Sequence, residues 1–549
     1  DKKSWAGRRW WQVTVSVIMV ITITVVIARG SIGTLPLKRY HANVSQYQAL
    51  NVITPNVFMA LDWARSDYKK QSKFDFISDK AVKDQMLKVL GQPTPVYQTP
   101  KNDYLADNPP HVVMALMEGM GNNVLIEDDP ATNDLLGELR EGFENDFVFK
   151  RFMAGTSATI DSIVMMLFHS DVPTLSHSSA QRVALSSSAV LPYKEAGYEV
   201  VFIYGGNSMW RNLANYLPRQ GFDKVYDENS IKKVFPEAEE YADTWGVSDE
   251  YTFKFARKLL DEASQPTMMY IMTVTNHSPF RVPGNYQPRP VQVSERVNTL
   301  LGAMKDQGEA MLSVYQYASN ALGSFVKGIK ASTLSNNTII AASGDHRMRY
   351  LTTDHTEEFG LTYGVPLYMY IPKDILEHTN YVFEEERIGS HRDIFPTLYN
   401  FSLSDQSYIS LGGENLLSTQ TVSNIGYNSA RTIKATGAYS NPEPELLYLW
   451  DENNDLLSNP KLSCNLKGIM SKYLVEINID EVSKDKFDSF WEVTIEDVNG
   501  CFIVVPNTVS EPSLLDASNI AGVAISCNGL ADGSVTVVPS GATAPYFYE

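Results

Sequence analysis

Five short apolar runs, set apart by helix-length segments, limit what this chain can fold into. They cover residues 111–117, 198–204, 268–274, 338–342 and 365–371. Each is continuous rather than alternating, which predicts strands buried on both faces. The intervals carry helical patterns, among them residues 250–262 and 296–330, long enough for crossover connections. Strand–helix repetition of this kind predicts an α/β fold: a mostly parallel central sheet with helices on both faces. Folds of that class build their sites at the C-terminal ends of the strands.

Two of these ends carry chemistry. The run 338–342 leads into Gly344-Asp345-His346, a carboxylate beside an imidazole where a strand gives way to a loop. In a loop both side chains are released from the strand's alternation and can reach one metal ion. The run 111–117 ends at Glu118. Between the first two runs lies Gly155-Thr-Ser-Ala-Thr-Ile-Asp-Ser162, a small-residue loop running into an apolar segment. Its hydroxyls suit either capping of a helix N-terminus or nucleophilic attack, with Thr156 and Thr159 both open to the second role. Two carboxylates, an imidazole and a hydroxyl form a donor set suited to a hard divalent cation.

At 549 residues the chain has room for two or more domains, and its 44% apolar and 20% charged composition is that of a globular protein. The formal net charge of −18 excludes nucleic acid as a partner, since most of the surface would repel a phosphate backbone. An anionic substrate needs a local trap, a metal or a few arginines. Cys464, Cys501 and Cys527 all lie near the end, so the chemistry of the main domain uses oxygen and nitrogen groups. No Gly-x-x-x-x-Gly-Lys phosphate loop or Gly-x-Ser-x-Gly elbow is present.

Residues 13–28 carry no charge. With Trp10, Trp11 and Gln12 they approach the ~20 residues that cross a bilayer, and the tryptophans supply an interfacial belt. Lys2, Lys3, Arg8 and Arg9 precede the stretch and predict an N-terminus in the cytoplasm. The chain begins at Asp1 without a methionine, which reads as a fragment or processed form. The expected organisation is a cytoplasmic flank (1–9), a transmembrane helix (10–29), a connector (30–105), a catalytic domain (106–440) and a small β-rich C-terminal module (441–549). Strands of that module are expected at 473–482, 490–498 and 501–509.

Glu118 in ALMEGM, the GTSATIDS loop, YGGNSMW, TVTNHSPF, SGDH and SHRDIFPTLYNF occur in one order over about 300 residues. This series resembles the lipoteichoic acid synthase and phosphoglycerol transferase family of the alkaline phosphatase–sulfatase superfamily, across roughly residues 30–440. The resemblance implies an alkaline phosphatase/sulfatase-like fold. It implies one divalent metal, manganese or magnesium rather than zinc, held by Glu118, Thr159, Asp345 and His346. Thr159 is the implied nucleophile, preferred over Thr156 because Thr159-Ile-Asp-Ser matches the family loop. Trp210, Arg211 and His277 are the implied headgroup pocket, with His277 also a proton donor to the departing oxygen. In the family a residue separates the tryptophan from the arginine; here the two are adjacent. Arg347 and Arg349 also depart from the pattern, and Arg347 and His355 are taken as further substrate contacts. His391 is expected to support the fold. A sulfatase formylglycine motif, Cys-x-Pro-x-Arg or Ser-x-Pro-x-Arg, is absent.

The resemblance implies a phosphoglycerol transferase in a bacterial plasma membrane, its catalytic domain facing the periplasm or exterior. Its donor is phosphatidylglycerol, and its acceptor a hydroxyl of a glycan or of polyglycerol phosphate. A phosphodiesterase that uses water as acceptor and a non-catalytic lipid sensor are the alternatives. The C-terminal stretch 526–548 is similar to a repeat of bacterial surface adhesins with immunoglobulin-like sandwiches.

Overall fold

The structure is a computed structural model. It describes residues 10–29, 37, 50, 53–70, 78–90, 93–353, 358 and 360–435, and beyond these only short strand segments between 437 and 537. Residues 1–9, His355 and most of the C-terminal module lie outside the described residues, as does the strand expected at 473–482.

The central sheet is built from β1 (His111–Met117), β2 (Phe147–Phe149), β3 (Glu199–Tyr204), β4 (Lys224–Tyr226), β5 (Thr267–Met272), β6 (Thr338–Gly344) and β7 (Leu367–Tyr370). Their spatial order is β2-β7-β6-β1-β5-β3-β4. The pairs β6–β1, β1–β5, β5–β3 and β3–β4 are parallel. Only β7, which pairs antiparallel to both β6 and β2, runs the other way. The sheet is therefore mostly parallel, as the continuous runs predict. The short strands β2 and β4 lie at the two edges and carry too few apolar residues to announce themselves.

Alternate residues of each strand face opposite layers. Val112, Met114 and Leu116 of β1 join one core, together with Ile163, Val164 and Leu167 of α2 (Thr159–Phe168) and Phe395 and Leu398 of α5 (Ile394–Ser402). Val113, Ala115 and Met117 join the other, with Phe253 and Phe255 of α3 (Asp249–Asp261) and Met311, Leu312 and Tyr315 of α4 (Gly308–Lys330). β1 is buried along its whole length for this reason. The helical stretch expected over 296–330 is broken. A short helix, Glu295–Leu301, ends where Gly302 adopts φ +55°, and α4 starts at Gly308. A left-handed glycine is a common helix terminator, because it has no Cβ to clash there.

The N-terminal helix α1 (Trp10–Arg29) spans 20 residues, and none of them is buried in the protein. At 1.5 Å per residue it is about 30 Å long, the thickness of a bilayer's hydrocarbon core. By length and composition it is able to cross a membrane.

After α5 the chain forms an antiparallel meander of Gly426–Tyr427, Arg431–Lys434, Gly437–Ser440, Leu446–Leu449 and Lys461–Asn465. It starts inside the stretch expected to be catalytic domain and runs across residue 440. Ile433 and Ala438 pack with Met153 and Ile388, which fastens its first strands to the main domain. Val493–Val498 and Cys501–Pro506 pair antiparallel, within two of the strands expected from the sequence.

Gly323 gives a sharp test of this packing. It lies within α4, where a Cβ would fall 2.1 Å from the backbone nitrogen of Leu139. Helix propensity alone favours Gly323→Ala by about 1 kcal/mol. Overpacking reverses the sign, so the variant is expected to lose about 1–3 kcal/mol, read by denaturant unfolding.

Candidate metal centre

The sheet brings three strand ends together. Met117 and Gly344 pair in register on β1 and β6, and Leu116 pairs with Met272 on β1 and β5. Glu118, Asp345 and the loop after β5 therefore leave the sheet side by side. Backbone and side-chain bonds tie the exits together. Asp345 N–H donates to the Met117 carbonyl at 2.9 Å. Glu118 N–H donates to Thr273 Oγ1 at 2.9 Å, and Asn276 Nδ2 donates to the Glu118 carbonyl at 2.9 Å. Gly119, at φ +59°, turns the chain so that its N–H reaches Asp345 Oδ1 at 2.8 Å.

One ligand atom from each of Glu118, Asp345 and His346 lies within 4.8 Å of the others, and all three residues are buried. Asp345 Oδ1 is occupied by two N–H donors, those of Gly119 and His346. Its Oδ2 is buried and accepts no hydrogen bond. That oxygen lies 3.2 Å from His346 Nε2. His346 Nδ1 is 2.7 Å from the Arg347 carbonyl, which can only accept, so the ring proton sits on Nδ1 and Nε2 presents a lone pair. Burial lowers the pKa of His346 and keeps the ring neutral. Burial, and then the charge of Asp345, raise the Glu118 carboxyl well above the usual range. Lone pairs facing one another across buried carboxylates are a poor arrangement for bare protein and a good one for a divalent cation.

Thr159 joins this set. Its Oγ1 lies 3.3 Å from Glu118 Oε2 and 3.4 Å from His346 Nε2. Thr159 is the first residue of α2, and the N-cap Ala158 offers no side-chain cap. Thr156 closes its own turn, accepting the Ala158 N–H at 3.3 Å and donating to Asp161 Oδ2 at 2.7 Å. Thr156 is thus spent within its own loop, while Thr159 faces the carboxylates. Ser162 Oγ donates to the Asp345 carbonyl at 2.6 Å and pins α2 to the end of β6.

His277 approaches from the β5 loop, with Nε2 3.4 Å from Glu118 Oε1. Its Nδ1–H donates to the Val274 carbonyl at 2.8 Å, and burial lowers its pKa. Trp210 packs beside Tyr204, and the exposed Arg211 guanidinium lies 5.7 Å from the Trp210 ring centroid. Both Arg211 (φ +51°) and Asn212 (φ +61°) are left-handed, a costly backbone for non-glycine residues. The structure brings neither Trp210 nor Arg211 within hydrogen-bond reach of the Glu118 cluster.

Arg347 is committed to its own loop: Nη1 donates to the carbonyls of Met348, Arg349 and Leu351 at 2.7–3.1 Å. It builds the turn instead of reaching outward. Arg349 is the exposed arginine of the pair, and its charge acts on Glu118, His277 and His346. His391 is fully buried and supports the site from behind. Its Nδ1 accepts the Gly155 N–H at 3.1 Å and its Nε2 faces the Gly344 carbonyl at 2.9 Å. Trp245, which no motif marks, stacks on the His277 ring with centroids 3.8 Å apart.

A protein-family model described as Sulfatase matches residues 110–401. The chain belongs to the sulfatase family. A second model, SprB repeat, matches residues 523–549. Lipoteichoic acid synthase 1 of Bacillus subtilis is 23% identical over 301 residues, covering 50% of this chain and 43% of that protein. Phosphoglycerol transferase I of Citrobacter koseri is 24% identical over 269 residues, covering 47% of this chain and 31% of that protein. The chain thus spans less than half the length of these curated relatives. Among solved structures, an alkaline phosphatase superfamily protein from Vibrio parahaemolyticus aligns with TM-score 0.51 at 18% identity, over 78% of this chain and 94% of that one. The lipoteichoic acid synthase LtaP of Listeria monocytogenes aligns with TM-score 0.50 at 17% identity, over 75% and 98%. These two likenesses show the alkaline phosphatase-like fold.

Buried neutral histidine gives the domain an acid limit. Burial pushes His391 down to about 4, below its unfolded value of about 6.5. The unfolded chain then binds more protons between those values, so this contribution is complete above about pH 6.5 and is lost as pH falls toward 4. Thermal midpoints should drop over that window. His391→Gln keeps an acceptor and a donor without titrating and should flatten the slope; an unchanged slope would exclude His391 as its source.

Proposed function

We propose that the chain is a metal-dependent phosphoglycerol transferase, with Thr159 as nucleophile and phosphatidylglycerol as donor. The observation that carries this is the Thr159 hydroxyl, free of capping duty and within 3.4 Å of both Glu118 and His346. The four donor side chains Glu118, Thr159, Asp345 and His346 suit one hard divalent ion, manganese or magnesium. When bound, such an ion lowers the hydroxyl pKa and neutralises phosphoryl oxygens.

The residues have separable tasks. Thr159 Oγ attacks phosphorus as its proton passes along its hydrogen bond to Glu118 Oε2, and the bond from phosphorus to the diacylglycerol oxygen breaks. Glu118 Oε2 receives the Thr159 hydroxyl hydrogen bond, which orients the attacking oxygen. The N-terminus of α2 favours negative charge at Thr159. His277 Nε2, 3.4 Å from Glu118 Oε1, takes that proton from Glu118 and hands it to the departing diacylglycerol oxygen. In the second half the acceptor hydroxyl gives its proton to the same nitrogen, displaces Thr159 from phosphorus, and the proton returns through Glu118 to Thr159 Oγ. Arg211 over Trp210, and Arg349, supply positive charge for an anionic headgroup and phosphate. The acceptor is a hydroxyl of a glycan or of polyglycerol phosphate. α1 crosses a bacterial plasma membrane and keeps the 106–440 domain on the outer side, beside its lipid.

The test is incubation of the purified chain with manganese and vesicles of fluorescent phosphatidylglycerol. Diacylglycerol should appear with ping-pong kinetics, and Thr159→Ala should reduce its rate by about a thousandfold or more. Equal release by that variant removes the nucleophile assignment. Free glycerol phosphate as the sole second product makes the chain a phosphodiesterase.

A further inference from the structure

The stack of Trp245 on His277 lies outside the cation ligands and the nucleophile. The two rings are nearly parallel, at 14°, with centroids 3.8 Å apart. Trp245 is held from several directions by atoms other than His277. Its Nε1–H donates to the Ser278 carbonyl at 2.9 Å, and its backbone N–H to Asp243 Oδ1 at 2.7 Å. The next residue, Gly246, sits at φ +145°, where a Cβ would fall 2.1 Å from the Gly205 carbonyl oxygen. Gly205 directly follows β3, so the indole is registered to the sheet itself.

His277 has one hydrogen bond of its own, from Nδ1 to the Val274 carbonyl. A single bond leaves an imidazole free to tilt about that axis. A flat indole against one ring face removes the tilt. The remaining ring atom, Nε2, then stays 3.4 Å from Glu118 Oε1. Core packing does not account for Trp245, which is 43% exposed. The indole is fixed by its Nε1–H bond and by a backbone held at Asp243 and Gly246, and the face it offers is the one against His277.

We propose that Trp245 is the positioning residue of the site, holding the His277 ring in the plane that presents Nε2 to the reacting phosphate group. This rests on the function proposed above. It is tested in the full chain with Trp245→Ala, Trp245→Phe, His277→Ala and the Trp245→Ala/His277→Ala double variant. Trp245→Ala should lower kcat for diacylglycerol release by about tenfold to a hundredfold, with lipid KM within about threefold of the parent. Its manganese dissociation constant should match the parent's, because no cation ligand has moved. Trp245→Phe keeps a flat ring and should retain most of the rate. The double variant should be no slower than His277→Ala, since the indole acts only through that ring.

The inference is overturned if kcat in Trp245→Ala stays within about twofold of the parent, if the loss lies in KM alone, or if it persists in full in the His277→Ala background. The same chains are compared on vesicles of fluorescent phosphatidylethanolamine, whose leaving group is also diacylglycerol. A wrong lipid donor moves diacylglycerol release to this lipid and leaves its dependence on Trp245 intact. A wrong positioning role leaves diacylglycerol release intact in Trp245→Ala.

Discussion

Met117 and Gly344 pair in register on neighbouring parallel strands, and the site follows from where those two strands leave the sheet. The next residue on each is a carboxylate, so the fold forces two like charges together in a buried place. That arrangement is costly unless something compensates. Part of the compensation is built in: Asp345 Oδ1 takes two backbone N–H bonds, and Gly119 bends the chain to supply one of them. The rest is left open, as Asp345 Oδ2 and the lone pairs of two imidazoles. Strand pairing thus sets the spacing, and a divalent cation held by Glu118, Asp345 and His346 would complete the charge balance. Gly344 is required by the same closeness, because a Cβ there would fall 2.1 Å from the Met120 carbonyl oxygen.

The buried strands were legible because each is apolar on both faces. The edge strands Phe147–Phe149 and Lys224–Tyr226 were not, being three residues long and partly exposed. The end of the helix before α4 was present in the chain as Gly302, a signal that outweighs an amphipathic pattern running through it. At the site, residues next to strand ends could be found by counting along the chain. Residues that matter through their neighbours could not. Arg347 and Arg349 look equivalent in sequence, yet one guanidinium turns back onto three carbonyls while the other stays exposed beside the carboxylates. Trp245 reaches His277 only after α3 and β5 have folded, and no local pattern encodes such a contact.

Thr156 and Thr159 show how a helix N-terminus separates two similar hydroxyls. A helix start leaves backbone N–H groups that draw in nearby oxygens. Thr156, three residues upstream, instead accepts the Ala158 N–H and pairs with Asp161, so the loop is closed without Thr159. Ser162 then locks the first turn of α2 to the end of β6. A nucleophile needs an oxygen that is rigidly placed yet has no structural partner to give up. With Thr156 bound within its loop and Ser162 anchoring the helix, Thr159 Oγ1 is left facing Glu118 and His346, as the function proposed above requires.

The charge of the chain makes its cations informative. With 64 acidic against 46 basic residues, the mean field repels a phosphate-bearing lipid. Most basic side chains near the domain surface are already matched, as with Lys194 and Asp223 or Lys330 and Asp146. Arg349 differs: it is exposed and its charge is felt by Glu118, His277 and His346 together. Arg211 is exposed as well, set over Trp210 by a strained backbone. Arg211 and Arg349 thus set exposed positive charge near the C-terminal edge of the sheet, where a bound divalent ion would reinforce it. Under the function proposed above, a protein of net negative charge would gain orientation from this arrangement, because an anionic headgroup would be drawn toward the edge that carries Thr159.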